Sequence, residues 1–307
     1  MNTGSRELDV SIIVACFCEE ATVEAVHRGI VSAMSRQGRS YEILFINDGS
    51  TDGTMNRLLA IWERDSRVTL VDLVRNSGQW PAMTAGIERA RGNVIVFMDC
   101  DLQLDPVDIL PLLDKYDEGY DLVSGHRTKR QDGPLRRAYS RLGNFLLRGI
   151  TKGKLSDLGC ALKAFNTDFV QAFQFGPMTP FRPMQVIASI DRIAEIPVHH
   201  FPREHGESKW GSAVLIPNFA FAMLDLLQGR LRAVGLMIVL VAFFWFFLAA
   251  LAFLSLTTYQ GEYLLFRGLL YAFFGMMLVI IDLLILSLVA RRVRPAYIVR
   301  RVYSHER

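Results

Sequence analysis

Apolar residues come in short dense blocks through the first two thirds of the chain. Residues 10–14, 41–46, 68–73 and 94–98 are runs rich in Val, Ile, Leu and Phe. Runs of that length between polar turns predict strands buried on both faces. Between them, segments 19–34, 52–64 and 81–89 carry apolar residues at helical spacing. Further strands are predicted at 122–124, in the apolar run ending at Phe165, and before His199-His200. Strand alternating with helix means an α/β fold with a mainly parallel sheet. The polar clusters CFCEEA, NDGSTDGT, RNSGQ and DCDLQLDP all fall at strand exits. Ligands of such sheets bind beyond the carboxyl ends of the strands, so the pattern nominates one cleft.

After Arg232 the pattern changes. Residues 233–256 contain no charge. At helical rise they reach about 36 Å, enough to cross a bilayer core. A second run, 268–290, has Asp282 as its one charged residue, and the link TTYQGEYLLFR between the runs is short. Together they predict a transmembrane hairpin. Arg230, Arg232, Arg291, Arg292 and Arg294 flank it, while the link has no net positive charge. That asymmetry puts both ends, and the large domain, on the cytoplasmic side. The stretch SAVLIPNFAFAMLDLLQ reads as a helix at the membrane surface, with an ordinary core helix as the competing reading. The expected organisation is a catalytic domain over 1–211, an interfacial helix over 212–230, transmembrane helices over 233–256 and 268–290, and a basic cytoplasmic tail over 291–307.

Composition narrows the function. Hydrophobic residues are 51% and charged residues 21%, which excludes a disordered chain. A net charge of +3 is too small to indicate nucleic acid as a partner. Cys16, Cys18, Cys100 and Cys160 lack the spacing and number of ligands of a zinc site, so they read as reduced, buried thiols. The opening MNTGSRELDV has no apolar signal stretch. No G-x-G-x-x-G follows the first strand and no P-loop is present, which disfavours a dinucleotide fold.

Asp99 and Asp101 follow the fourth strand at i and i+2. With phosphate oxygens they suit Mg²⁺ or Mn²⁺, and plain loop solvation is the alternative. Asp48 fits either a base or ribose contact, or a helix cap shared with Asp52. Asn76, Gly78 and Gln79 follow the third strand in the same way. Arg127, Lys129, Arg130, Arg136, Arg137 and Arg141 form a basic cluster suited to a lipid phosphate. It lacks the interleaved aromatics of a nucleic-acid surface. Asp157 fits a base, an acceptor-site carboxylate or a turn residue. PREHGESKWG brings Arg203, His205, Lys209 and Trp210, a set that could close over a pyrophosphate. His199 and His200 are adjacent in a strand and face opposite sides, which argues against a metal pair.

The motifs YEILFINDGSTD, RNSGQWPA, DCDLQ, RQDGPLRRAYS, SDLGCALKAF, EIPVHH, REHGESKW and RPAYIV occur in this order. In order and spacing the chain resembles the family 2 glycosyltransferases with the GT-A fold. Within them it is similar to the polyprenyl-phosphate glycosyltransferases, the group that includes dolichyl-phosphate mannose synthase. The resemblance implies inverting transfer of one sugar from a nucleotide donor, UDP-linked as the first expectation, to a polyprenyl (undecaprenyl) phosphate. The expected sugar is a modified pentose such as formamido-arabinose, or a uronic acid. The expected place is the cytoplasmic face of a bacterial inner membrane, and the expected ion is Mg²⁺ or Mn²⁺.

The resemblance also implies roles. Glu19 and Asp48 line the nucleotide pocket with Gln79 nearby, and Asp99 and Asp101 handle the diphosphate-bound ion, Asp101 being the better ligand. Gln103 sits beside them. Arg127, Arg130 and Arg137 hold the acceptor phosphate, and Asp157 lies near the reacting centre. Arg203, Ser208 and Lys209 engage phosphate from the membrane side. Asp157, Asp101 and Arg203 form the expected catalytic set.

Departures from the family pattern are also present. The usual P-x-Y-N-E reads Ala15, Cys16, Phe17, Cys18, Glu19, and Asn47 replaces the first of two aspartates. Asp282 stands where the family carries a glutamate. A processive polysaccharide synthase and a non-catalytic scaffold are the alternatives, though two helices are too few for a monomer's channel. Ala249, Ala250 and Gly275 are the small residues that would favour a homo-oligomer.

Overall fold

The computed structural model describes residues 6–128, 155–157, 159–202 and 295–305. The chain divides into one unit of Met1–Leu215 with Pro295–Arg307 and another of Ile216–Arg294. Among the described residues no helix is long and apolar enough to cross a membrane. The expected membrane segments 233–256 and 268–290 and the interfacial helix 212–230 lie outside the described residues. So do Lys129, Arg130, Arg136, Arg137, Arg141, Arg203, His205, Ser208, Lys209 and Trp210.

The first unit is built on eight strands: β1 (Leu8–Cys16), β2 (Tyr41–Asn47), β3 (Val68–Leu73), β4 (Gly92–Asp99), β5 (Leu122–Arg127), β6 (Lys163–Asn166), β7 (Ile193–Val198) and β8 (Val299–Tyr303). They form one sheet in the order β7-β5-β6-β4-β1-β2-β3-β8. Pairs β1–β2, β1–β4, β2–β3 and β5–β7 are parallel. Pairs β4–β6, β5–β6 and β3–β8 are antiparallel. The sheet is therefore mixed, with its parallel part at β4, β1, β2 and β3 as the alternation of elements requires.

Helices cover both faces. On one side are α1 (Val23–Met34), α2 (Thr54–Arg64) and α4 (Ile109–Asp117); on the other are α3 (Gln79–Ile87), α5 (Thr167–Gln171) and α6 (Pro183–Ala188). Strand alternation sorts the core between them. Ile12, Val14, Ile43 and Phe45 pack with α1, α2 and α4. Ile13, Leu44, Ile46 and Phe97 pack with α3, α5 and α6. Successive side chains of a strand point to opposite faces, so a central strand must be apolar at nearly every position. At Gly86 an added Cβ would stand 2.5 Å from the Ile13 side chain. That glycine sets how closely α3 lies on β1.

Several boundaries move relative to the sequence pattern. Glu19 to Thr22 is a turn rather than the first turn of α1, with the amides of Thr22 and Val23 donating to the Glu19 carbonyl at 3.1 and 3.0 Å. After Asp105 a short 3-10 turn, Pro106–Asp108, comes before α4. The segment expected as a basic tail supplies β8, which pairs with β3 in the register Val71 to Val302. Tyr297, just before β8, is fully buried and donates its hydroxyl to Glu88. An aromatic next to arginines has a core to enter here, and the arginines of β8 stay on the outside.

Candidate active site

The polar residues nominated by the sequence gather where the strands end. Asp48 is buried just past β2 and bridges two loops. Its Oδ1 accepts from the Ser77 amide at 2.7 Å and its Oδ2 from the Gly78 amide at 2.9 Å. It does not cap α2. The cap position is Gly53, and Asp52 just before it accepts from the Thr54 amide through Oδ1 at 3.0 Å. The two loops meet closely at Gly49, where an added Cβ would fall 2.4 Å from the Arg75 carbonyl carbon. Gly49 also has φ +66, a conformation natural to glycine.

Asn47, at the end of β2, accounts for one departure from the family pattern. Its Nδ2 donates to the buried Asp72 at 2.7 Å and its Oδ1 accepts from the Ser50 amide at 3.2 Å. The amide supplies a donor to one neighbour and an acceptor to the other, which a carboxylate could not do. Cys18 and Glu19 close the same rim. Cys18 takes the left-handed region at φ +55, and its amide donates to Ser50 Oγ at 3.0 Å. The Glu19 amide donates to Thr54 Oγ1 at 2.8 Å, and its Oε2 accepts from Thr22 Oγ1 at 3.1 Å.

Asp99 ends β4 and accepts from Gln79 Nε2, at the start of α3, at 2.8 Å. Asp101 is buried and accepts from the Gln103 amide at 3.1 Å. Between them Leu102 has φ +56, which bends the chain sharply after the strand. The Gln103 carbonyl accepts from the Phe201 amide at 2.9 Å, so the bend is tied to the chain beyond β7. Burial and the neighbouring charge of Asp101 push the Asp99 carboxyl up to about 7, against the pull of Lys163, Arg127 and the Gln79 amide. Two crowded carboxylates of this kind gain from a divalent cation between them. Among the described residues no group of three or more His, Cys, Asp and Glu could hold an ion. A hard ion held by Asp99 and Asp101 would keep positions open for diphosphate oxygens and water, which suits Mg²⁺ or Mn²⁺.

Arg127 and Asp157 form the other half of the site. Arg127 Nε and Nη2 donate to the two oxygens of Asp157 at 2.7 and 2.8 Å, and the Arg127 amide adds a bond at 3.2 Å. Gly159 allows this approach, because an added Cβ would lie 3.1 Å from Arg127 Nη2. Glu195, on β7, accepts from the amides of Ser156 and Asp157 at 2.8 and 2.9 Å. A carboxylate locked in a bidentate ion pair is a poor base, since accepting a proton would break the pair.

The structure thus bonds Gln79 to Asp99, Gln103 to Asp101, and Arg127 to Asp157, with the charge of Asp101 acting on Asp99. Asp48 and Glu19 shape the loops beside them. The His199 amide and Nδ1 donate to the buried Asp108 at 2.7 and 2.8 Å.

Residues 11–174 match the model of glycosyl transferase family 2. The chain belongs to that family. The matched span of this glycosyltransferase takes in every site residue from Glu19 to Asp157. A curated relative, the undecaprenyl-phosphate 4-deoxy-4-formamido-L-arabinose transferase of Edwardsiella ictaluri, is 33% identical over 95% of this chain and 94% of its own. The protein of that name from Shewanella sediminis is 39% identical over 70% of this chain and 65% of its own. Among solved structures, glucosyl-3-phosphoglycerate synthase from Mycobacterium tuberculosis with Mn²⁺ and UDP-glucose aligns over 72% of this chain and 79% of its own. Its TM-score is 0.55 at 20% identity. The same enzyme with Mn²⁺, UDP and glucosyl-3-phosphoglycerate aligns with a TM-score of 0.54 at 18% identity. These likenesses establish the GT-A fold of the glycosyltransferase.

Two residues of the site were not singled out by sequence reasoning, Glu195 and Lys163. Both lie inside motifs that were visible, EIPVHH and SDLGCALKAF. Nothing local marks Glu195, whose partners Ser156 and Asp157 are brought near by the fold, or the place of Lys163 next to β4, which strand register decides.

Proposed function

We propose that this glycosyltransferase moves a sugar from a nucleotide-diphosphate donor to a polyprenyl phosphate, with a formamido-pentose as the leading sugar. One observation carries the reading: the similarity to the Edwardsiella transferase runs through almost the whole of both chains. It is not confined to the family 2 region at 11–174, and it extends through the apolar runs at 233–256 and 268–290. An acceptor buried in lipid needs a membrane-anchored enzyme, and those runs with their flanking arginines fit a hairpin with the catalytic unit on the cytoplasmic side.

Asp99 and Asp101 would hold Mg²⁺ or Mn²⁺, which when bound neutralises the departing diphosphate. Gln79 orients Asp99 for that task. Arg127 points a guanidinium at the acceptor phosphate and owes its aim to Asp157. The lipid phosphate is already ionised near neutral pH, so its oxygen can attack the anomeric carbon without a strong base, and the sugar inverts. Asp157 is then a positioning residue. Arg130, Arg137, Arg203, Ser208 and Lys209 belong to the same reading as further phosphate contacts. UDP is the favoured nucleotide.

The test is transfer in detergent or nanodiscs, with undecaprenyl phosphate, Mn²⁺ or Mg²⁺, and a panel of UDP- and GDP-sugars, followed by lipid mass. The expected product is the lipid heavier by one modified pentose, lost in Asp101→Asn while the fold survives. Near-normal turnover by Asp101→Asn would sink the metal role. Product from a different sugar would replace the donor assignment.

A further inference from the structure

Lys163 is a lysine with almost no solvent exposure at the start of β6, and the roles given above do not use it. It pairs in register with Phe97 of β4 on one side and Ser124 of β5 on the other. Ser124 in turn pairs with Glu195 of β7, and Phe97 with Ile13 of β1. One row across five strands therefore reads Ile13, Phe97, Lys163, Ser124, Glu195. Registered partners share a face, and Asp99 lies on the face of Phe97 two residues further along. Lys163 thus enters the sheet at the point where its apolar interior gives way to the site.

Its surroundings are negative. The Lys163 ammonium donates to the Cys160 carbonyl, and the Cys160 amide is bonded back to the Asp157 carbonyl at 3.3 Å. Lys163 and Arg127 both pull the Asp99 carboxyl down, Asp99 and Asp157 favour the Lys163 ammonium, and Arg127 disfavours it. Burial pushes the ammonium below the ordinary lysine range, while Cys160 and Asp157 draw it back up. Arg127 is committed to Asp157 by two parallel bonds. Asp101 adds a further negative charge beside Asp99. A buried ammonium is costly unless it balances fixed charge nearby.

We propose that Lys163 is a positioning residue, a built-in counter-cation that balances Asp99 and Asp157 and anchors the turn between Asp157 and Cys160. Its effect on the ion rests on the reading of Asp99 and Asp101 as ligands of Mg²⁺ or Mn²⁺. A resident positive charge beside those carboxylates lowers their affinity for a bare divalent cation. The ion is then held well only together with the diphosphate of the donor, whose negative charge outweighs the lysine. Lys163 thereby favours joint entry of ion and nucleotide over a permanently loaded metal site.

The experiment has a metal-free arm and a metal arm. In the metal-free arm, Lys163→Met, Asp99→Asn and the double variant are unfolded with urea. If the charges balance each other, the unfolding equilibrium constant should suffer about tenfold less from Lys163→Met in the Asp99→Asn background than in wild type. Should Lys163→Met fail to fold, recovery of folded protein in the double variant supports the proposal. Additive effects, or no recovery, overturn it. In the metal arm, Mn²⁺ binding without donor is measured by titration calorimetry. Lys163→Met should bind Mn²⁺ about tenfold tighter than wild type, the size expected of one nearby charge at intermediate dielectric. Lys163→Arg, which keeps the charge, should stay within about twofold of wild type. A lysine that serves only packing would weaken Mn²⁺ binding when removed, and that result overturns the proposal. Coupling in the first arm with no Mn²⁺ binding by any variant keeps the counter-cation and removes the metal reading of Asp99 and Asp101.

Discussion

Asn47 shows how one atom decides a site. Its amide nitrogen lies 2.7 Å from Asp72 Oδ1, and both side chains are buried. Asn47→Asp would set two carboxylates against each other. We expect a loss of about 3 kcal/mol at pH 7, the scale of an uncompensated buried charge. Urea denaturation should find the loss shrinking towards pH 4.5, as one of the pair takes up a proton. A second residue-scale case is Asp65, buried beneath α1. Burial alone would raise its carboxyl, but the side chain and amide of Arg67, with His27, outweigh burial and hold it well below the usual range. A carboxyl depressed in the folded state contributes stability above its unfolded value of about 3.9, and that contribution is lost as pH falls through the range below it. Asp65→Asn should therefore cost about 2 kcal/mol at neutral pH, and flatten the acid limb of stability below about pH 4. At this scale the sequence was informative where chemistry is local. The D-C-D motif and Asp48 stand out by composition and position. Glu195 and Lys163 do not, because Glu195 meets Ser156 and Asp157 from nearly 40 residues away and Lys163 is set beside β4 and Asp99 only by strand register.

At the scale of elements, the amino end of the sheet is held by a polar staple, as the carboxyl end is held by the site. Glu42 of β2 is buried and accepts from Ser11 Oγ of β1 at 2.7 Å. It also takes the Arg91 amide, Nε and Nη2 at 2.7, 2.9 and 2.7 Å. Ser11 Oγ accepts from the Gly92 amide at 2.8 Å and so joins the start of β4. Three parallel strands are fastened at one end by one carboxylate. Glu42→Gln keeps the shape and removes the charge. It should lower unfolding stability by about 2 kcal/mol in urea titrations, as charge-assisted bonds to a half-exposed arginine are weakened. Turnover should be unchanged, because the staple lies at the opposite strand ends from the site. The strand cores were legible, since β1 to β4 are apolar runs with turn residues at both ends. Helix starts were less so. Glu19 has the composition of a first helical residue, but the loop from Ser50 to Thr54 competes for its backbone and delays α1 to Val23.

At the scale of the whole molecule, the carboxyl-terminal segment completes the first unit. β8 lies on the outer edge of β3, and Val74 donates its amide to the Ile298 carbonyl at 2.9 Å. Arg300 reaches Asp72 at 3.3 Å, so the last strand touches the same network as Asn47. Tyr297 is the anchor, buried in the core with its hydroxyl on Glu88. Tyr297→Ala should cost about 4 kcal/mol, the scale of a large aromatic removed from a core. Thermal unfolding should report the loss, and limited proteolysis should find the end of the chain newly accessible. By itself the sequence determined the alternation of strand and helix, the parallel centre of the sheet, the cleft at the strand ends and the family. Each of these follows from apolar periodicity and from short motifs, and both are properties of neighbouring residues. Tertiary structure alone decided that Asp48 clamps a loop, that Asp157 is bound up with Arg127, that β8 returns to the sheet, and that Lys163 lies under the carboxylates. The first three of these join residues from 29 to more than 200 positions apart, and only strand register and the packing of both helical layers bring them within bonding distance.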